Sequence, residues 1–252
     1  MRMESVKAMP IVTTKRKDIL REDELRGMLD KLEGKESLQG QYMLQKRYTK
    51  GKKEGERIVQ TFNIDCRKTE CLLCLLWIFG KRITELLLLK RKDVTVGGGF
   101  LTVKFHVLKK PKETIPVRYM KSITLNHPYT KYIIQYVNTV KDPDEFLFPG
   151  NSGERTFVSK VRNKKTGKVK VYEYTREEHG FMSAQLAWKI VKFLNPKSYP
   201  HLFRHSLATI MAENRYTQHQ LMSWFDWSNP TVAFEYVKKG PGLTKEASRR
   251  TW

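Results

Sequence analysis

Apolar residues recur at helical spacing along most of this chain. Over residues 18–32, four leucines and a methionine fall on one side of a helix whose first turn is acidic. A second apolar run predicts a long helix at about 64–79 that Gly80 ends, and another helix follows over 82–90. Further helices are predicted at 129–140, 183–194, 201–215, 217–225 and 230–239. The pattern indicates a mostly helical protein.

Two segments depart from the helical spacing. Residues 94–119 alternate apolar and polar positions, are rich in Val, Thr and Phe, and predict a small antiparallel sheet of two or three strands. A hairpin is predicted at 156–174, where two alternating runs flank Lys-Thr-Gly. Residues 34–57 are polar, and we interpret 46–57 as an exposed loop or helix end. The expected fold class is therefore α+β, in one domain.

Charge narrows the choice of partner. The 252 residues contain 48 Lys and Arg against 26 Asp and Glu, so the net charge is 48 − 26 = +22. Such an excess favours nucleic acid, because neutralising phosphates releases counterions. The longest uncharged apolar run, residues 71–80, is too short to span a bilayer, and no lipidation signal or signal peptide is expected. The charge therefore predicts nucleic acid as the partner and disfavours a membrane.

The three cysteines lie close together, with Cys71 and Cys74 inside the apolar helix. Their spacing allows metal or redox chemistry, but a fourth ligand at finger-like spacing is missing. A free cysteine commonly packs as a small buried hydrophobe. We therefore predict a packing role, and the odd count with no secretory signal fits a reducing compartment.

The stretch His-Leu-Phe-Arg-His-Ser at 201–206 is the first candidate for chemistry. His201 and Arg204 are three residues apart, which places both on one face of a helix. An arginine without a partner is costly to bury, so the pair would suit an anion. The alternative is a solvated first helical turn, because single motif matches carry false positives.

Other residues in the chain fit the same anion. Arg82 follows Gly80 near a predicted helix start, where a positive charge needs an acidic partner such as Glu85 or an anionic ligand. Trp227 lies in Phe-Asp-Trp-Ser, and Tyr236 comes nine residues later. A lysine cluster occupies the turn of the predicted sheet: Lys109, Lys110 and Lys112.

These motifs, in this order from about Ile19 to Tyr236, resemble those of the tyrosine recombinase (phage integrase) family. The resemblance implies a mostly α-helical catalytic domain with a small antiparallel β-sheet over 18–240. It would follow an N-terminal extension, 1–17, and precede a C-terminal tail, 241–252. Many family members close around DNA with an N-terminal core-binding domain, and we expect no complete one here.

The resemblance implies a site-specific DNA recombinase or integrase that cleaves and rejoins strands through a 3′-phosphotyrosyl intermediate, with no metal and no cofactor. Arg82 and Arg204 would hold the phosphate, since a guanidinium donates two parallel hydrogen bonds to it. Tyr236 would be the nucleophile. A tyrosine has a pKa near ~10, so it needs nearby positive charge and a proton acceptor. His201 is the candidate base or orienting residue.

The remaining roles follow from the same resemblance. A hairpin lysine would protonate the leaving oxygen, with Lys109 favoured, then Lys110, then Lys112. Trp227 has one indole N–H to donate, although an aromatic ring of this size is also a packing residue. His205 and Glu85 would support the site, Glu85 by orienting Arg82.

Two basic stretches, 46–57 and 160–170, each carry six Lys or Arg and could follow the phosphate backbone, although charge runs also solubilise loops. The DNA-binding candidates in or beside them and in the hairpin turn are Lys46, Arg47, Lys50, Lys52, Lys53, Lys110, Lys112, Lys160, Arg162, Lys164 and Lys165. The resemblance also implies DNA-dependent self-association through the C-terminal tail. The expected location is the cytoplasm, on nucleoid or mobile-element DNA.

Two other functions compete with the recombinase. A type IB topoisomerase shares the phosphotyrosine chemistry, but that family usually has Lys at the position of His201. A non-catalytic DNA-binding protein would be expected to have lost site residues, whereas the candidates Arg82, His201, Arg204 and Tyr236 are all present.

Overall fold

A computed structural model describes residues 19–47, 57–106, 118–162, 167 and 169–239. In this part of the chain the helices are α1 (Glu22–Asp30), α2 (Cys66–Phe79), α3 (Ile83–Leu87), α4 (Thr130–Val137), α5 (Ala184–Leu194), α6 (Pro200–Glu213), α7 (Gln218–Phe225) and α8 (Pro230–Lys239). The strands are β1 (Ser37–Arg47), β2 (Arg57–Asp65), β3 (Val94–Gly97), β4 (Phe100–His106), β5 (Arg118–Thr124), β6 (Pro149–Arg162) and β7 (Val169–Phe181). The predicted α+β class with a small antiparallel sheet is confirmed.

The predicted sheet contains three antiparallel strands in the order β3-β4-β5. Strands β3 and β4 are joined by a tight glycine turn, and β4 pairs with β5 from Phe100 opposite Thr124 to His106 opposite Arg118. Alternate β4 residues Leu101, Val103 and Phe105 are buried, as the alternating pattern predicts. The connection 107–117 lies outside the described residues.

The interpretation of 46–57 as a loop or helix end was wrong at its described residues, because Lys46 and Arg47 lie in β1 and Arg57 in β2. Strands β1 and β2 form an antiparallel ribbon in which Ser37 lies opposite Asp65. Among the described side chains of this ribbon, Leu38 and Phe62, at its base, pack against the core. The apolar alternation of β1 is interrupted by Gly40 and Met43, and that of β2 by Val59 and Gln60, so the strand signal in the sequence is weak.

The second ribbon is longer than its predicted span of 156–174. Strands β6 and β7 pair from Pro149 opposite Phe181 to Arg162 opposite Val169. The added residues at its base are mostly Gly and charged side chains, which carry no strand signal in the sequence. At that base, Phe146 packs on Phe181 with ring centres 5.5 Å apart, and this contact joins the ribbon to the core.

Helix α2 lies at the centre of the main core and packs against α4 and α6. Cys71 and Cys74 are fully buried within it as free thiols, and burial raises the pKa of both. They pack as small hydrophobes there, consistent with the prediction. In the described part of the chain, no helix is long and apolar enough to cross a membrane.

Helices α6, α7 and α8 enclose a second, smaller core of Ala208, Met211, Leu221, Phe225 and Ala233. Helix α6 also belongs to the main core, through residues such as Phe203. The start of the described chain is fixed to α6 as well, because the Leu20 amide donates to Ser206 Oγ at 2.7 Å in a buried hydrogen bond. One helix therefore joins the two cores.

Local capping fixes the turn that brings α2 against α6. Asp65 caps the start of α2 by accepting a hydrogen bond from the Lys68 amide at 2.9 Å. Gly80 ends the helix in the left-handed region, at φ 55°. A Cβ at Gly80 would lie 2.7 Å from Phe225 and 3.0 Å from Leu207. The turn thus requires glycine for both its backbone angle and its close contacts.

We predict that Gly80→Ala destabilises the protein more than Gly98→Ala. Both glycines have positive φ, but a Cβ at Gly98 meets nothing within 4 Å, so only Gly80→Ala adds a packing clash. The left-handed strain costs about 1 kcal/mol at either position, and overpacking adds roughly 1–3 kcal/mol at Gly80. Urea unfolding of the two variants measures the difference, and equal losses of stability would contradict the account.

Candidate active site

Arg82 lies at the N-terminal end of α3, directly after the turn that ends α2. Its Nη1 donates to Glu85 Oε1 at 2.8 Å, and its backbone amide donates to Glu85 Oε2 at 3.1 Å. The Glu85 side chain is buried, whereas that of Arg82 is 30% exposed. A carboxylate in the first turn offsets a positive charge that the helix dipole disfavours. The ion pair holds the Arg82 guanidinium at the surface, within reach of an anion.

Arg204 is a buried charge, with only 3% of the residue exposed. Its Nη1 donates to the Gly80 carbonyl at 2.9 Å and its Nη2 to the Phe225 carbonyl at 2.8 Å. Burial, together with the nearby positive charge of Arg82, lowers the pKa of Arg204 to about 10. The guanidinium therefore stays charged at neutral pH and lies close enough to Arg82 to interact with it.

The aromatic rings next to Arg204 form a layer that ends in Tyr236. Phe225 and Trp227 stack with ring centres 4.7 Å apart, and Trp227 stacks on Tyr236 at 5.3 Å and 15°. The Arg204 guanidinium carbon lies 5.0 Å from the Phe225 ring centre and 5.4 Å from that of Trp227. These distances allow cation–π attraction on the side of the layer that faces the charge. Trp227 therefore has a packing role, whatever its indole N–H does.

Tyr236 points its hydroxyl group into the protein. Its Oη lies 3.0 Å from Nδ1 of His205, which is within hydrogen-bond distance. Burial raises the pKa of Tyr236, and the positive charge of Arg204 acts in the opposite direction. The phenol is therefore neutral at physiological pH and has an imidazole nitrogen beside it that can take its proton.

The structure brings His205, rather than His201, into contact with the tyrosine hydroxyl. The sequence reasoning selected His201 as the base or orienting residue and gave His205 a supporting role. His201 has an exposed side chain one helical turn earlier on α6. Residues four apart lie on the same side of a helix, so both imidazoles belong to one face.

Sequence reasoning missed a group of charges around the C-terminal end of α7. The last carbonyls of a helix lack partners within it, and cations there are favourable. In this structure three cations from three different elements supply those partners. The bonds run from Lys121 to the Ser223 carbonyl, from Lys81 to the Trp224 carbonyl and from Arg204 to the Phe225 carbonyl.

One sequence signal for this group exists. Lys81 directly precedes Arg82 and Asp226 directly precedes Trp227, so opposite charges stand beside two residues already singled out. The structure joins the Lys81 ammonium and the Asp226 carboxylate in a buried ion pair. Lys121 lies 3.2 Å from the same carboxylate. Adjacency along the chain indicated the position of these charges but not their pairing.

Several predicted residues lie where the structure says little. The candidate general acids Lys109, Lys110 and Lys112 fall in the connection between β4 and β5, outside the described residues. Of the basic candidates, Lys46 and Arg47 are at the end of β1, and Lys160 and Arg162 at the end of β6. The others also lie outside the described residues: Lys50, Lys52, Lys53, Lys164 and Lys165.

We predict that Tyr236 adds stability below pH 10 that disappears above it. Its pKa is raised in the folded protein, whereas in the unfolded chain it is about 10. The folded state therefore holds the proton longer, and stability falls as the pH rises through the folded pKa. The free energy of unfolding of the wild type minus that of Tyr236→Phe should be constant from pH 7 to 9 and decline above pH 10. A difference that increases there would refute the burial of the phenol.

A family-model comparison matches residues 51–241 to the phage integrase family. The fold resembles that of XerH recombinase bound to its difH substrate, with a TM-score of 0.53 and 16% identity, over 92% of this chain and 53% of that chain. XerA recombinase gives 0.54 and 13%, over 100% and 68%. The Tn1549 transposon integrase in complex with circular intermediate DNA gives 0.51 and 17%, over 94% and 67%.

The chain thus spans about half the length of the XerH chain. At these identities the structural likeness concerns the fold. The comparison with curated proteins found no match. The family model, in contrast, covers well over half of the sequence and includes Arg82, Arg204 and Tyr236. Site geometry and family match agree, and the chain belongs to the phage integrase family.

Proposed function

We propose that this protein is a site-specific DNA recombinase or integrase that cleaves and rejoins DNA strands through Tyr236. The observation that carries the proposal is the position of the Tyr236 hydroxyl. It lies 3.0 Å from His205 and close enough to Arg204 for that positive charge to lower the pKa of the phenol. Three segments far apart in the sequence, around residues 82, 204 and 236, supply these groups. Such a pocket suits attack by a phenol on a phosphate.

In the proposed step, Tyr236 Oη attacks the scissile phosphorus while its proton passes to His205. A bond forms between the tyrosine oxygen and the phosphorus, and the bond from phosphorus to the 5′ oxygen breaks. The leaving 5′ oxygen takes a proton from a lysine of the β4–β5 connection, for which Lys109 is favoured, then Lys110 and Lys112. The 3′-phosphotyrosyl bond conserves the energy of the broken one, so another 5′-hydroxyl reseals the strand.

We assign to Arg82 and Arg204 the stabilisation of the negative charge that develops on the phosphate. Preorganised donors facing such charge supply the largest share of catalysis in phosphoryl transfer. Arg82 is held by Glu85 at the surface, and Arg204 is fixed by two carbonyls. We assign His201 and the Trp227 indole N–H to the same phosphate. With these donors and the hairpin lysine in place, the reaction requires no metal ion and no cofactor.

The burial of Arg204 implies a rearrangement when DNA binds. The aromatic layer of Phe225, Trp227 and Tyr236 packs beside a guanidinium that is only 3% exposed. A phosphate oxygen that bonds Arg204 therefore requires this layer to shift. Tyr236 is on α8, whose outer face is exposed at Val232 and Phe234. A movement of α8 would open the pocket while the bonds from Arg204 to the two carbonyls stay intact.

The net charge of +22 supports double-stranded DNA as the substrate. The XerH and Tn1549 relatives were solved with DNA, and we extend that partner to this chain. The basic residues of β1, β6 and the connections that follow them are assigned to the phosphate backbone. The proposal places the catalytic domain at 18–240, with self-association on DNA through residues 241–252, and locates the protein in the cytoplasm on nucleoid or mobile-element DNA.

We predict that the wild-type protein forms a covalent adduct with a nicked suicide duplex and that Tyr236→Phe does not. The nick lets the cleaved fragment diffuse away, so the phosphotyrosyl bond accumulates. A denaturing gel with labelled DNA measures the adduct, and the yield should be the same in EDTA. Both proteins should shift the duplex equally in a native gel. Binding without any adduct would favour the non-catalytic DNA-binding protein, and sequence-independent relaxation of supercoiled plasmid would favour the topoisomerase.

A second prediction separates the two histidines. His205→Gln should slow adduct formation by roughly a hundredfold, because it removes the proton acceptor beside Tyr236. His201→Gln keeps that acceptor and should lose less. Single-turnover adduct formation at saturating protein measures both rates, with a native gel to check that DNA binding is retained. A larger loss for His201→Gln would return the role of base to His201.

A further inference from the structure

The Asp226 carboxylate is shared by two lysines below the aromatic layer. One oxygen, Oδ2, pairs with Lys81, and the other, Oδ1, lies 3.2 Å from Lys121. The side chain of Lys81 is 1% exposed, that of Asp226 6% and that of Lys121 11%. The three charges therefore form a nearly dry cluster.

Each member of this cluster lies on a segment that carries proposed catalytic groups. Lys81 directly precedes Arg82, and Asp226 directly precedes Trp227. Lys121 is on β5, the strand that receives the lysine-bearing connection from β4. The lysines also hold the carbonyls of Ser223 and Trp224, so they fix the backbone on either side of the carboxylate. One carboxylate thus joins three segments that are distant in the sequence.

The backbone at Asp226 suggests that the carboxylate is there for its charge. Asp226 ends α7 in the left-handed region at φ 54°, where glycine would be free of strain. Aspartate tolerates this region better than most residues but not without cost. A buried lysine without a counterion would be strongly unfavourable. Burial in fact lowers the pKa of Lys81 to about 8, and the Asp226 charge opposes that change.

We propose that Asp226 is a positioning residue for strand cleavage, which sets the placement of Arg82, of strand β5 and of the Trp227–Tyr236 pair through Lys81 and Lys121. The inference rests on the proposed function. A positioning role differs from a stability role in what it requires. For positioning, the charged carboxylate must contact both lysines and so link their segments. For stability, it is enough that no buried charge lacks a partner. Replacing both charges of a buried pair by neutral groups is often neutral for stability.

Three variants separate the two roles. Asp226→Asn keeps the size of the side chain and its tolerance of positive φ but leaves Lys81 without a counterion. Lys81→Met removes the ammonium and keeps an unbranched chain. The double variant Lys81→Met/Asp226→Asn removes the buried pair and leaves Lys121, whose side chain is 11% exposed, as the remaining charge of the cluster. The matched control is Asp144→Asn, because Asp144 is also shared by two lysines, Lys90 and Lys92, but is 62% exposed.

We expect Asp226→Asn to lower the melting temperature and the double variant to restore it. Both should form the suicide-duplex adduct at least tenfold more slowly than wild type, because small displacements of reacting groups are costly, while DNA affinity stays within twofold. Asp144→Asn should cleave at the wild-type rate. A double variant with wild-type stability and a wild-type cleavage rate would overturn the proposal.

A readout independent of activity keeps the test separate from the proposed function. In protein labelled with fluorotryptophan, the Trp227 resonance is assigned from its loss in Trp227→Phe. This resonance should shift in Asp226→Asn and in the double variant, and stay unchanged in Asp144→Asn. If wild type formed no adduct, the proposed function would fail, and the resonance would still test the positioning. An unshifted Trp227 resonance in the double variant would overturn the inference itself.

Discussion

The site depends on the two hydrogen bonds that the buried Arg204 guanidinium donates. It donates to the Gly80 carbonyl, at the end of α2, and to the Phe225 carbonyl, at the end of α7. A guanidinium is a rigid fork that can span two carbonyls at once, and hydrogen bonds from a charged donor contribute about 1.5–3 kcal/mol each. One residue of α6 therefore fixes the turn before Arg82 and the turn before Trp227. These two turns, which flank the proposed phosphate site, are therefore fixed before DNA binds.

The other site contacts build on this arrangement. Gly80 must lack a side chain because Phe225 and Leu207 crowd it, and the Lys81–Asp226 pair lies beside the same two turns. Trp227 stacks on Tyr236 and so orients the tyrosine ring, and His205 lies within hydrogen-bond distance of the tyrosine hydroxyl. The charged side chains of Arg204, Lys81 and Asp226 are thus fixed near the main core. The proposed nucleophile, Tyr236, lies on α8, which packs in the smaller core and can move with less loss of packing.

Much of this could be predicted from the sequence, for reasons that are local. Helical spacing and Gly80 indicated the helices, and the order of the motifs, with Tyr236 nine positions after Trp227, indicated the candidate site through the family resemblance. The pairing of Tyr236 with His205 could not be predicted, because it depends on how α8 packs against α6. The Lys81–Asp226 pair joins residues 145 positions apart. The alternation of apolar and polar residues in β1 and β2 is interrupted, so the strand signal there is weak.

Amide hydrogen exchange of Arg204→Lys is the most direct test that Arg204 couples the two turns. A lysine keeps the charge but is a compact point donor that cannot span both carbonyls. The account predicts that the Gly80 and Trp227 amides, which donate to Leu76 and Met222, both exchange roughly tenfold faster or more. Arg82→Lys should leave both unchanged, because the Arg82 ion pair lies within α3. Unchanged exchange at both turns in Arg204→Lys, or a change confined to α6, would contradict it.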